Sequence, residues 1–282
     1  FRDSHTLHVD LDDGGTETVR FDACLLATGG RPTVPRVFDI GSDRVIDSEA
    51  ALRVDDVPET MLQIGGGFIG LEMGMVYAAL GTKVHVVEMT GGLLPGTDRD
   101  LVEPLHRELK KHMASIQLNT KVIGLEETED GVRVELSGLH VKEPELTVDK
   151  VLVCVGRSPV TDGFGLETTE GALDEKGFAE VDEQRRTTDA AIFAVGDVAG
   201  PPMLAHKASY EARMAAEVIA GQPSTFDAKA IPAVMYTDPE VAWAGLTEQS
   251  AKERDLPVKI VRFPWNASGR AATMNRREGL TK

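Results

Sequence analysis

Hydrophobic and polar positions alternate at the start of the chain. In HTLHVDLDD, Leu7, Val9 and Leu11 fall on one side and the polar residues between them on the other, the period-two pattern of a strand. Gly14-Gly15 after Asp12-Asp13 predicts a hairpin turn, with a return strand that carries FDACLLATGG and ends at Gly29-Gly30. A calcium loop opening at Asp10 would need a bidentate Glu at its twelfth position, where Phe21 stands, so the turn is preferred. A polar stretch then runs from Asp39 to Glu59. The block from Met61 to Glu88 reads strand, glycine turn, helix, strand: Met61 to Ile64 are mostly apolar, Phe68 to Leu80 keep a helical stripe through Leu71, Val76 and Leu80, and Gly81 supplies the stop.

Further along, Thr97 with Asp100 resembles a capping box that opens a helix to about His112, with a kink at Pro104. Val122 to Thr128 and Val132 to Leu136 alternate on either side of Asp130-Gly131. Val151 to Val155 reads as a buried strand. A short strand in FAEVD, a buried strand in AIFAVGD and a helix to about Ile219 follow. In the last fifty residues, IPAVMYTDPEVAWAGLT and PVKIVRFPW predict strands around a short helix.

Composition narrows the class. The 282 residues carry 30 basic and 46 acidic side chains, a formal charge of −16, which disfavours binding to a phosphate backbone, so no nucleic-acid partner is expected. With 41% hydrophobic residues the chain can bury a sizeable core and has the length for more than one domain. No apolar run reaches the roughly 18 residues of a membrane helix, and no membrane partner is expected. Cys24 and Cys154 each sit in an apolar run, which fits buried thiols in a reducing, cytoplasmic setting better than a disulfide framework or a zinc site; no metal is expected.

Gly65, Gly67 and Gly70 fill the pattern G-x-G-x-x-G within Gly65-Gly66-Gly67-Phe68-Ile69-Gly70. Alone the pattern is weak. Here it joins a predicted strand to a predicted helix, and Glu88 closes the second strand 18 residues after Gly70, near the spacing of a ribose-binding acid. Gly65 permits the tight turn, Gly67 lets a pyrophosphate approach the backbone, Gly70 lets the helix lie on the strand, and Gly74 extends that packing. Unpaired N–H groups at the helix start attract the phosphates. Glu88 can accept from both ribose hydroxyls and would repel a 2′-phosphate; with Met89-Thr90 following and no Arg, NAD is expected over NADP.

These residues, with LLATGGRP at 25–32, VGRSP at 155–159 and IFAVGD at 192–197, resemble the pyridine nucleotide-disulfide oxidoreductases. PMLAHKA at 202–208, YTDPEVAW at 236–243 and FPWNASGRA at 263–271 are most similar to the bacterial dihydrolipoyl dehydrogenases within that family. The resemblance implies an α/β fold of two nested Rossmann-like domains, for FAD and NAD, with the start of an α+β dimerisation domain. Residues 1–57 and 157–229 would belong to the FAD domain, 58–156 to the NAD domain and 230–282 to an incomplete interface domain. It also implies FAD contacts at Thr28, Gly29, Gly30, Asp197, Met203, Leu204, Ala205 and His206. The family often has Ser where this chain has Gly30. NAD contacts are implied at Gly65, Gly66, Gly67, Phe68, Ile69, Gly70, Leu71, Glu72, Glu88, Val122 and Gly156. Among these, Phe68 takes the place of a gating residue and Glu72 that of an acid paired with a flavin-side lysine. Taken without the motif, Asp197 would read as a helix cap, Glu72 as an exposed helical acid and His206 as a surface histidine.

The resemblance further implies a homodimer that oxidises dihydrolipoamide on a lipoyl domain, within a 2-oxoacid dehydrogenase complex, and passes hydride through FAD to NAD. The family's C-x-x-x-x-C pair and its first G-x-G-x-x-G have no counterpart in these residues, and Cys24 and Cys154 are 130 positions apart. None of His5, His8, His85, His106, His112, His140 and His206 matches the family's His–Glu element. No catalytic residue is therefore assigned, and the chain is expected to be a central fragment, inactive alone. A catalytically silent NAD-binding module, or a fragment of a mercuric or glutathione reductase, stays open as an alternative; those reductases use NADPH, which Glu88 argues against.

Overall fold

The computed structural model describes residues 1–139 and 141–282; His140 lies outside the described residues. The chain forms two compact units, Phe1–Arg31 with Arg157–Ile231, and Pro32–Gly156 with Pro232–Lys282. Mixed α/β structure with a parallel sheet is present, as the pattern and the resemblance anticipate.

The second unit is built on five parallel strands in the order Val45–Asp47, Lys150–Val153, Thr60–Ile64, Lys83–Val87, Ser115–Gln117. Strands covered on both faces are rich in apolar residues, as Met61, Leu62 and Ile64, then Val84, Val86 and Val87, and then Val151, Leu152 and Val153 show. Alternate residues serve opposite layers: Met61, Val84, Val86 and Leu152 pack with Leu71, Tyr77, Leu105 and Leu109 of the helices. Leu62, Ile64, Val87, Val151 and Val153 pack with Val122, Val132, Val134, Leu136 and Val148. The latter group comes from an antiparallel sheet, Thr120–Thr128, Gly131–Gly138 and Glu145–Val148, whose first two strands meet at Asp130-Gly131 as the sequence pattern predicts. The helix Phe68–Ala79 stops where Gly81 takes φ +108°, also as predicted.

Several expectations are corrected. The return strand of the first hairpin is Thr16–Arg20, paired with Thr6–Asp10, because the tight turn sets Asp10 opposite Thr16. The apolar residues that follow go to a different sheet, Cys24–Leu26 lying parallel to Ile192–Ala194. The polar stretch after Asp39 contains the edge strand Val45–Asp47 and a helix, Ser48–Arg53, that Asp47 caps by accepting from the Glu49 and Ala50 N–H groups. The helix Arg99–His112 starts from Asp98 and has no side-chain cap, so there is no Thr97–Asp100 box; Asp98 accepts instead from the Glu248 N–H and the Lys282 ammonium. The FAEVD segment makes only an isolated bridge, Leu173 to Ala179, and from PVKIVRFPW only Phe263–Pro264 pairs, with Leu280–Thr281.

In the first unit, Phe193 and Val195 pack on Met214, Ala215 and Val218 of the helix Ala205–Ile219, while Ala194 faces Leu26, Leu166, Ala179 and Val198. The strand Ile192–Ala194 is fully buried and leads directly into the turn at Gly196–Ala199.

Leu152 is fully buried in the central sheet, whereas Leu139 is 87% exposed. Truncating Leu152 to Ala should lower the unfolding free energy of the 282-residue chain by about 2–5 kcal/mol, and Leu139→Ala should change it by less than about 0.5 kcal/mol. Urea unfolding followed by circular dichroism measures both.

Candidate functional sites

Strand register brings one set of predicted residues to a common edge. Ile64 pairs with Val87 and with Val153, so the residues that leave these strands, Gly65, Glu88 and Cys154, all emerge at the carboxyl edge of the parallel sheet. That is where α/β sheets bind ligands. The glycines there divide into two kinds. Gly65 takes φ +106° and a Cβ would lie 2.3 Å from the Cys154 carbonyl oxygen. A Cβ at Gly70 would meet Gln63 Nε2 at 2.7 Å and the Gly65 oxygen at 2.8 Å, and one at Gly74 would meet Gln63 Oε1 at 2.2 Å. These three are demanded by the packing of helix on sheet. Gly67 is different: its φ is −85° and a Cβ would meet nothing within 4 Å. Its side faces open space at the start of a twelve-residue helix that has no side-chain cap, so the protein itself does not require glycine there.

Glu88 is buried, and each carboxylate oxygen already holds a backbone donor at 2.7 Å, Oε2 the Gly66 N–H and Oε1 the Thr90 N–H. The acid thus ties the glycine turn to the strand end, and the second lone pair of each oxygen can accept a hydroxyl. Leu93 covers Gly66, whose carbonyl accepts the Leu94 N–H. Arg99, the cation of that neighbouring loop, donates to the carbonyls of Leu93, Leu94 and Thr97.

Other predicted nucleotide contacts are placed as follows. Phe68 and Ile69 are exposed on the first helical turn, and the Phe68 ring stacks on Trp243 with centroids 5.5 Å apart. Leu71 is fully buried. Glu72 accepts the Tyr236 N–H at 2.7 Å through Oε1. Val122 sends its side chain into the core, and Gly156, at φ +147°, follows the strand Lys150–Val153 with its carbonyl accepting the Thr33 N–H.

The first unit gathers a second set. Thr28 Oγ1 donates to the Val160 carbonyl at 2.6 Å, and the Gly29 carbonyl accepts the Val160 N–H. The Gly30 carbonyl accepts from the Arg157 guanidinium, whose Nε lies 3.7 Å from Asp197 Oδ2. A Cβ at Gly30 would stand 3.1 Å from the Ser158 oxygen and 3.3 Å from the Asp197 carboxylate, so glycine here lets Asp197 lean over the turn. Met203 and Leu204 are half-buried, and Ala205 and His206 are exposed at the uncapped start of the helix Ala205–Ile219. An acid beside glycine-rich turns and an uncapped helix start suit hydroxyl and phosphate groups of a dinucleotide.

Sequence reasoning missed Gln63, a fully buried polar residue whose Nε2 donates to the Gly65 carbonyl at 2.7 Å. A lone Gln in an apolar strand was its only signal. Cys24 and Cys154 are both free thiols. Burial raises Cys24 and pushes Cys154 up to about 12. Neither has the thiolate character of a redox-active cysteine. Among the described residues no cluster of His, Cys, Asp or Glu could hold a metal ion.

Residues 1–212 match the family described as pyridine nucleotide-disulphide oxidoreductase, and residues 231–282 match the dimerisation domain of the same family. The dihydrolipoyl dehydrogenase of Haemophilus influenzae is 43% identical over all 282 residues, and that of Geobacillus stearothermophilus is 42% identical over the same span. The chain spans 59% of the length of each of these two relatives. That of Haloferax volcanii is 41% identical over 269 residues, 95% of this chain and 57% of the relative. Among solved structures, the HOCl-induced flavoprotein disulfide reductase RclA from Escherichia coli superposes with a TM-score of 0.86 at 29% identity, over 99% of this chain and 63% of that one. LpdA from Mycobacterium tuberculosis gives 0.87 at 25% identity, over 97% and 59%.

Gly67→Ala should leave the unfolding midpoint of the chain unchanged while weakening NADH binding at least tenfold, whereas Gly65→Ala should lower the midpoint as well. Thermal unfolding and NADH fluorescence titration on each variant separate the two roles. For the thiols, the folded Cys154 binds its proton more tightly than the ordinary 9.0, so its contribution to stability is intact below pH 9 and is lost as pH rises toward 12. Cys154→Ser should flatten that part of the stability profile, read by urea midpoints between pH 8 and 11.

Proposed function

Since the chain belongs to the pyridine nucleotide-disulphide oxidoreductases, we propose that the protein carrying it is an FAD-dependent dihydrolipoyl dehydrogenase that delivers electrons from protein-bound dihydrolipoamide to NAD. The observation that carries this reading is the edge of the parallel sheet. There Gly67 leaves its backbone open, the helix Phe68–Ala79 begins without a cap, and Glu88 closes the adjoining strand. The identity to dihydrolipoyl dehydrogenases along the whole chain supports the substrate class.

In this reading, Gly65 to Gly70 hold the pyrophosphate of NAD and Glu88 accepts the ribose hydroxyls while repelling a 2′-phosphate. The preference for NAD is supported by Arg99, which is committed to three carbonyls and is not free to pair with such a phosphate. Phe68 and Ile69 border the nicotinamide end, and Gly156 lines it from the next strand. Thr28, Gly29, Gly30, Asp197 and the segment Met203 to His206 hold the flavin nucleotide, with Asp197 accepting from its ribityl hydroxyls. When bound, FAD supplies two-electron transfer between a dithiol and the nicotinamide. The dithiol and its His–Glu partner correspond to none of these 282 residues, so the chain by itself is inactive in this reading. Assembly as a homodimer and service to a 2-oxoacid dehydrogenase complex belong to the full protein.

NADH titrated into the 282-residue chain should bind at least tenfold more tightly than NADPH, and Glu88→Ala should remove most of that preference. Tighter binding of NADPH would overturn the NAD assignment. The full-length protein should reduce NAD with dihydrolipoamide, followed at 340 nm, and the 282-residue chain should not.

A further inference from the structure

The first unit buries an ion pair. On the helix Ala205–Ile219, Lys207 and Glu211 lie one turn apart with side chains 4% and 0% exposed, and Lys207 Nζ is 3.1 Å from the Glu211 carboxylate. Taking two such charges out of water costs free energy that a pair in this position often fails to recover. Their other contacts give the pair a purpose. Glu211 Oε2 accepts the N–H of Gly196 at 2.8 Å, and Lys207 Nζ donates to the carbonyl of the same residue at 3.0 Å. Both polar backbone atoms of Gly196 are held by one buried pair.

Gly196 is the pivot of a turn. It takes φ +78°, and it turns the buried strand Ile192–Ala194 into the short helix whose second residue is Asp197. Fixing its N–H and its carbonyl fixes the peptide planes on both sides, and the second of these planes carries Asp197. A Cβ at Gly196 would press on Ala208 Cβ at 3.2 Å, so the turn also sits close against the helix. Arg185 backs the pair from the far side: its Nε is 3.5 Å from Glu211 Oε1, and its guanidinium lies over the Phe226 ring at 4.2 Å. On the solvent side Arg157 stands 3.7 Å from the Asp197 carboxylate.

We infer that Lys207 and Glu211 are positioning residues: a buried clamp on Gly196 that sets the direction of the Asp197 carboxylate toward the flavin nucleotide. The inference rests on the reading of Asp197 as a flavin contact. Buried from solvent, the pair reaches Asp197 through the backbone of Gly196. This separates it from a pair that merely adds stability, because matched apolar side chains would replace the latter without loss of binding.

The test uses the full-length flavoprotein, stripped of FAD and titrated with FAD by flavin fluorescence, for wild type, D197A, K207M/E211L and the triple variant. K207M/E211L, which leaves the Gly196 backbone and Arg185 without these partners and so lowers the urea midpoint of the apoprotein, should bind FAD at least tenfold more weakly, and D197A should add less than twofold to that loss because both changes remove one interaction. FAD affinity within twofold of wild type in K207M/E211L overturns the clamp. Wild-type affinity in D197A instead refutes the role of Asp197. In that case hydrogen exchange at the Gly196 amide decides the clamp: exchange at least tenfold faster in K207M/E211L supports it, and unchanged exchange overturns it. Should the double variant not fold, Lys207→Met, which removes the donor to the Gly196 carbonyl and leaves Glu211 beside Arg185, takes its place. FAD binding at least tenfold weaker then supports the clamp, and a smaller loss overturns it.

Discussion

The close approach of the helix Phe68–Ala79 to the ends of the parallel strands is the constraint on which the rest of the proposed nucleotide site depends. It requires Gly65 to turn with no Cβ against the Cys154 carbonyl, and Gly70 and Gly74 to ride over Gln63. Once the helix lies that close, its unpaired N–H groups stand at the sheet edge beside Glu88, and an anion placed there meets donors and a favourable dipole together. Glu88 in turn ties the glycine turn to the neighbouring strand through the Gly66 N–H. The geometry proposed to bind a dinucleotide is thus the same geometry that packs one helix on one sheet.

The first unit reaches a related end by other means. Its parallel pair, Cys24–Leu26 with Ile192–Ala194, is short, and the glycine that follows it is held by buried charges as well as by its close approach to the helix at Ala208. An ion pair has directional contacts, and an apolar core does not. A turn whose value lies in the aim of the next side chain therefore gains from a clamp of donors and acceptors, even where burial of the charges is costly. Gly30 adds a second condition from the opposite side, since any Cβ there would push on Asp197.

Much of the fold is legible in the chain because its signals are local. The apolar runs of the central strands, the helix ended by Gly81 and the hairpin around Asp130-Gly131 each occupy a few consecutive residues whose periodicity and turn chemistry agree. The errors fall where a residue's partner lies far along the chain. Thr97 and Asp100 read as a local capping box, yet Asp100 accepts from Arg262 and Lys282, and Asp98 spends its carboxylate on the Glu248 N–H and Lys282. The apolar residues after Phe21 read as the return strand of a hairpin, yet they pair with a strand some 170 residues later. The edge strand Val45–Asp47 was hidden in a polar stretch because an edge needs little apolar surface.

What the sequence by itself determined is the identity and order of the parts: a glycine turn between strand and helix, an acid at the next strand end, an acidic chain with two unpaired cysteines, and motifs shared with one family. Those features are set by spacing within some thirty residues, and spacing is visible in a string. The tertiary structure alone decided which glycines serve packing and which leaves open space, that both oxygens of Glu88 are already engaged, and that Lys207 and Glu211 face inward onto Gly196. In the string those two are a common i, i+4 pair, indistinguishable from a solvated one. Only the fold puts Gly196, eleven positions before Lys207, within reach of both charges, because burial and hydrogen-bond direction depend on what the chain brings together and not on what it lists in order.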